Sequence, residues 1–199
     1  MKILFQTLGI VAGLCFLGTA QLNQLGIQAV QGVIFILVAE NTFFPMYSTL
    51  SLMPQEFPLF IREYRTGMYK IHIYYISKLI SLLPGIIIEP ILFTTIIYWL
   101  ADLSSNLKDF SLTLFILFLT MSISTACGTF FSIAFNNPPL AMAYLVPFDY
   151  LLMITMGSFI RLSSLPIYFK WVQYISWLLH STETLTIIQW EDVDNIGKF

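Results

Sequence analysis

Apolar residues in this chain gather into five long blocks, and that blockiness narrows the possible folds more than any motif does. A bilayer core about 30 Å thick is crossed by a helix of about 20 apolar residues. Residues 3–20, 30–53, 76–100, 110–135 and 140–160 meet that requirement. Of the 199 residues, 57% are hydrophobic and 10% charged, with mean hydropathy +0.80. An ordinary soluble domain carries about 25% charged residues. A water-soluble domain has no place for this much apolar surface, so a soluble enzyme and a disordered tail are both excluded. The formal charge of -2 gives no pull toward nucleic acid. The sequence therefore reads as an all-α, polytopic membrane bundle of about five spans. Residues 161–199 are mixed and aromatic, with Tyr168, Phe169, Trp171, Tyr174, Trp177 and Trp190. They read as a loop whose two short helices dip back into the membrane and roof the cavity.

Basic residues set the orientation. Arg62, Arg65, Lys70 and Lys78 fall between the second and third blocks, whereas residues 21–29 carry no charge. Loop 54–78 is thus expected in the cytosol, and the linkers near residues 25 and 105 on the other side, with the C-terminal segment. Met1-Lys2 and the run ending Leu17-Gly18-Thr19-Ala20 also fit a secretory signal peptide. Its cleavage would leave the remaining topology unchanged, so the residues of that block leave both readings open.

Glu40, Asn41, Glu89 and Asp149 lie well inside the blocks. A carboxylate at bilayer depth costs a few kcal/mol on insertion scales, so it is usually paired or faces water. Glu40 and Asp149 either face a central cavity and attract a cationic or hydrogen-bonding solute, or are structural acids satisfied locally. Glu89 precedes Pro90, which frees backbone groups that need partners, and reads as structural. Pro45 and Pro147 are placed to kink their helices. Cys15 and Cys127 read as buried structural thiols. His180 and Glu183 share an i, i+3 spacing, but two ligands do not make a metal site. There is no G-x-x-x-x-G-K-[ST] phosphate loop and no Gly-x-Ser-x-Gly, so no catalytic residue is assigned and an intramembrane enzyme is disfavoured.

Residues 54–78 mix charges with aromatics at helical spacing: Phe57, Phe60, Ile61, Tyr64. They form an interfacial amphipathic helix, a docking helix for a cytosolic partner, or a solvated connector. The series Phe60-Ile61-Arg62-Glu63-Tyr64, Gly67-x-Tyr69-Lys70, Tyr74-Tyr75-x-x-Lys78, Leu83-Pro84 resembles the first cytosolic loop of the G-subfamily ABC half-transporters. The likeness extends to residues 21–35, to Ile97-Tyr98-Trp99, and to Gly157, Leu165-Pro166, Trp171-x-x-Tyr174-Ile175-Ser176-Trp177 and Glu183. The closing Gln189-Trp190-Glu191-Asp192-Val193 is similar to the white–scarlet–brown eye-pigment branch.

That resemblance implies a six-span ABC type-2 domain, here with residues 1–160 as spans, 54–78 as the coupling loop and 161–199 as the luminal or extracellular loop. It makes block one a true span. It places ATP and Mg on a nucleotide-binding domain ahead of Met1, and a sixth span after Phe199. It assigns Glu40, Asn41, Phe44, Val146, Asp149, Tyr150 and Met153 to a solute cavity, and Arg62, Glu63 and Arg65 to coupling. Where some members carry a gating pair of leucines, this chain has Ser158 and Phe159, which puts a two-leucine plug in doubt. The expected function is solute translocation within a homo- or heterodimer, for pigment precursors or other small aromatic solutes, in the plasma or a granule membrane. The alternative is a non-transporting scaffold that dimerises with full half-transporters and poisons them.

Overall fold

The computed structural model describes residues 2–18, 24–103, 106–135, 137–157 and 170–190. All elements described are helices: α1 Lys2–Cys15, α2 Gln24–Leu50, α3 Leu52–Arg65, α4 Ile71–Leu100, α5 Leu107–Ala134, α6 Pro138–Thr155, α7 Lys170–Ile175 and α8 Trp177–Trp190. Four helical stretches are long and apolar enough to cross a bilayer: α2 running on toward α3, then α4, α5 and α6. Helix α1, expected over residues 3–20, is 14 residues long, short of a full perpendicular span.

The helix starts depart furthest from the hydropathy blocks at α2 and α4. Helix α2 starts at Gln24 and α4 at Ile71, both earlier than expected. Hydropathy marks where a helix meets lipid, whereas backbone hydrogen bonding continues through His72, Tyr74 and Lys78. The supposed 54–78 loop is thus two helices and a tight turn. Gly67, at φ +73°, donates to the Tyr64 carbonyl while Met68 donates to that of Glu63, which ends α3 through a left-handed glycine.

Lipid tails are as apolar as leucine, so close approach and polar links must hold these helices together. The most extensively packed pair is α2 with α5. At Gly128 of α5 an added Cβ would lie 2.2 Å from Thr49 Oγ1 and 2.5 Å from the Met46 carbonyl oxygen. Four residues on, Ser132 donates to the Leu50 carbonyl at 2.9 Å, so α2 and α5 end on the same side as the turn at Gly67. On α1, Gly9 and Gly13 lie one turn apart and admit Phe93 and Leu100 of α4. Thr120 of α5 and Ser181 of α8 share a 2.7 Å hydrogen bond, and Thr182 donates to the Met156 carbonyl at 3.4 Å. Helix α8 is therefore a full member of the bundle, with Leu178 and Leu185 buried. Its Trp177 reaches Phe148, midway along α6 (ring centroids 6.1 Å apart).

The outer surface is apolar: Ile80, Ile87, Ile88 and Ile91 of α4 and Phe115, Ile123 and Phe130 of α5 are exposed. Water would not tolerate such a face; lipid does. Cys15 belongs to this outer surface and Cys127 is half-buried, so neither is the fully buried thiol expected. The helix interior explains why: α1 turns its glycines, not Cys15, toward α4.

Candidate functional site

Two clusters hold the expected site residues. The first sits where α2 meets α6. Asn41 is fully buried, and its Nδ2 donates to the Leu37 carbonyl at 2.7 Å, leaving Oδ1 with no donor. Pro45, four residues on, has no N–H for the Asn41 carbonyl, so both oxygens of this residue lack their ordinary partners. Thr49 and Ser48 donate to the Pro45 carbonyl at 2.9 and 3.0 Å, which satisfies their hydroxyls within the helix. Asp149 is 6% exposed, and neither carboxylate oxygen accepts a hydrogen bond among the described residues. Tyr47 of α2 and Cys127 of α5 both lie within electrostatic reach of it. The Trp177 indole N–H is a third orphan, against Phe148, the neighbour of Asp149 in sequence. Buried polar groups without partners are rare in native proteins.

The other expected cavity residues distribute differently. Glu40, Phe44 and Met153 are half-buried, whereas Val146 and Tyr150 are exposed on the outer face of α6. The seven do not converge on one pocket within a single chain. Ser158 and Phe159 lie outside the described residues; Gly157 just before them has φ +84°. Glu89 is half-buried in α4. His180 and Glu183 are both exposed, and among the described residues no three His, Cys, Asp or Glu side chains group as a metal site.

The second cluster joins α3 to α4. Glu56 forms an ion pair with Lys78 and accepts the Tyr74 hydroxyl at 3.0 Å. Burial lifts the Glu56 carboxyl, and its hydrogen bonds to Lys78 and Tyr74 more than reverse this, holding it below its ordinary value of 4.5. Tyr69 donates to Glu63 at 2.5 Å, and that bond holds the Tyr69 phenol above its ordinary value of 10.0. The Phe60 ring lies 4.5 Å from that of Tyr74, tilted by 40°, which joins the two helices, and within α3 it stacks on Tyr64 at 6.0 Å. Of the expected coupling residues, Glu63 is in this network, whereas Arg62 and Arg65 are exposed in the last turn of α3, where cations suit the helix dipole. Sequence reasoning missed Glu56 and Tyr47. Glu56 carried a signal: it lies on the α3 face of Phe60 and Glu63, at i+4 and i+7. Tyr47 carried none.

An apolar cavity of about 400 Å³ lies beneath this cluster, lined by Met53, Phe57, Ile71, Tyr75 and Ile133 among others. It brings together the α3 helix, the first turns of α4 and the last turns of α5.

Comparison with known proteins covers nearly the whole chain. The family model described as ABC-2 type transporter, membrane part, matches residues 3–190. The chain is 53% identical to Protein scarlet of Drosophila melanogaster over 95% of its own length and 28% of that protein's. It is 33% identical to Protein white of the same fly (93% of this chain, 27% of the relative) and 27% identical to Protein brown of Drosophila virilis (97% and 28%). The chain thus spans little more than a quarter of the length of these curated relatives.

Proposed function

We propose that this chain, which belongs to the ABC-2 type transporter family, forms the membrane-embedded, solute-translocating part of an ATP-driven half-transporter that works as a dimer. It is a multi-pass membrane protein. ATP and Mg act on a nucleotide-binding domain, and the helices here respond to it. The observation that carries this reading is the α3–turn–α4 unit. It is a clasped element at one end of the bundle, packed directly against α2 and α5. Such a lever passes motion from a cytosolic engine to the spans.

The solute path in this reading runs along the axis shared with a second half-transporter. The exposed Val146 and Tyr150, with the half-buried Glu40, Phe44 and Met153, present aromatic and soft thioether surface to that axis. The orphaned Asp149 and Asn41 lie just behind it and attract a cationic or hydrogen-bonding solute when the helices part. Planar aromatic solutes such as pigment precursors fit this lining. Ser158 and Phe159 are proposed as its outer gate, with the Phe159 ring as plug.

The test uses the full-length half-transporter that carries this segment, reconstituted with its partner in proteoliposomes. Phe44→Ala and Tyr150→Ala are expected to lower ATP-dependent uptake of a tryptophan-derived solute while ATP hydrolysis persists. Equal uptake by wild type and both variants would overturn the proposed path.

A further inference from the structure

The cavity beneath the α3–α4 clasp has a ligand chemistry that solute transport does not use. Its volume of about 400 Å³ lies within the roughly 300–1,000 Å³ of small-molecule sites, and no residue lining it is charged. Phe57, Ile71, Tyr75 and Ile133 are exposed, so it opens outward, at the level where α2 gives way to the charged helix α3. Ile71 also lines an adjoining open groove that takes in Lys70 and His72. Lys70 is exposed and makes no ion pair among the described residues. An apolar pocket at the edge of the membrane, with an unpaired cation at its mouth, is complementary to an amphiphile with an apolar tail and a negative head.

We propose that this cavity holds one acyl chain of an anionic phospholipid, with the headgroup phosphate over Lys70 and His72. The bilayer is the source: the pocket faces the lipid that bathes α4, and anionic lipids are drawn to basic juxtamembrane residues. The occupied pocket fills the space between α3 and α5. The lipid comes from the cytosolic leaflet on the orientation proposed above, but the binding itself does not depend on that reading.

The chain is reconstituted in nanodiscs of phosphatidylcholine doped with phosphatidylserine bearing a diazirine in one acyl chain. Parallel discs carry phosphatidylcholine with the same photoreactive chain. Both faces of a nanodisc offer the same lipid, so the result is independent of which side the turn at Gly67 occupies. Cross-links are expected on residues 53–60, 71–75 and 132–133, with phosphatidylserine favoured about fivefold per cation engaged. Lys70→Gln with His72→Gln is expected to erase that preference. Ile71→Trp, which fills the pocket, is expected to remove the cross-links there while leaving those at Ile87 and Ile91, whose persistence shows an intact bundle. Labelling no denser in the pocket than along Ile87–Ile91, equal labelling by the two lipids, or an unchanged pattern in Ile71→Trp would each overturn the proposal. So would loss of the pocket cross-links in the full-length protein, where another part of the polypeptide would then fill the space.

Discussion

Glu56 and Lys78, 22 residues apart, form an ion pair that clasps α3 to the second turn of α4. The pair is partly exposed, so its worth to folding is no more than about 1 kcal/mol. Glu56→Gln is therefore expected to shift thermal stability little. In the full-length half-transporter it is expected to lower solute moved per ATP hydrolysed, because α3 then hinges against α4. Glu63→Gln, which weakens the Tyr69 bond, is expected to act in the same direction. Transport-to-hydrolysis ratios at parental values in both variants would remove the coupling role.

The clasp also titrates. Glu56 has a folded-state value below its ordinary 4.5, so its contribution is fully present above 4.5 and is lost as pH falls through the lower folded value. The distance between spin labels attached at Gln55 and Ser77 is expected to broaden only at pH below 4.5 and to lose that dependence in Glu56→Gln. A midpoint above 4.5 would contradict the assignment.

Gly128 touches backbone as well as side chain across the α2–α5 contact. Gly128→Ala is expected to cost about 1–3 kcal/mol, since the added methyl meets the Met46 carbonyl even if Thr49 rotates away. Thr49→Ala in the same chain should restore part of this loss only. Thermal unfolding in detergent reads both, and complete rescue would mean that the backbone contact is not limiting.

Polar links between helices are modest in membranes. Ser132→Ala removes the bond to Leu50 and Ser181→Ala the bond to Thr120, each for about 0.6 kcal/mol and at most about 1.7. The two sites share no partner, so the double variant is expected to show the sum of the single losses in detergent unfolding.

Asp149→Asn is expected to reduce uptake of a cationic aromatic solute by the full-length protein more than that of a neutral one, with folding retained. Tyr47→Phe leaves the acid in place and is expected to preserve that selectivity. Unchanged uptake of both solutes in Asp149→Asn would defeat a role in solute recognition.

Orientation is read by labelling. Met68, in the turn after α3, and Leu107, the first residue of α5, are exposed at opposite ends of the bundle. Met68→Cys in sealed inside-out vesicles is expected to react with a membrane-impermeant thiol reagent, and Leu107→Cys only after permeabilisation, in a background lacking Cys15 and Cys127.

Spans, their approximate number and the bundle class were legible in the chain, because burial in lipid is a local property: each helix must be apolar over its own length whatever its neighbours do. Residues 54–78 also stood out in the chain, through their charges and aromatic spacing. Which side chains meet was not. Asp149 beside Tyr47, Glu56 with Lys78, Thr120 with Ser181 and the contact at Gly128 depend on how each helix is rotated and how deep it sits. In a uniformly apolar helix the pattern of residues scarcely marks one face from another. Close approach between small residues sets that rotation in α2 and α5, and it exists only once both helices are in place. Helix α8 shows the same division: its aromatics announced an interface, but its depth in the bundle came from hydroxyl groups finding partners on α5 and α6, which no single helix encodes.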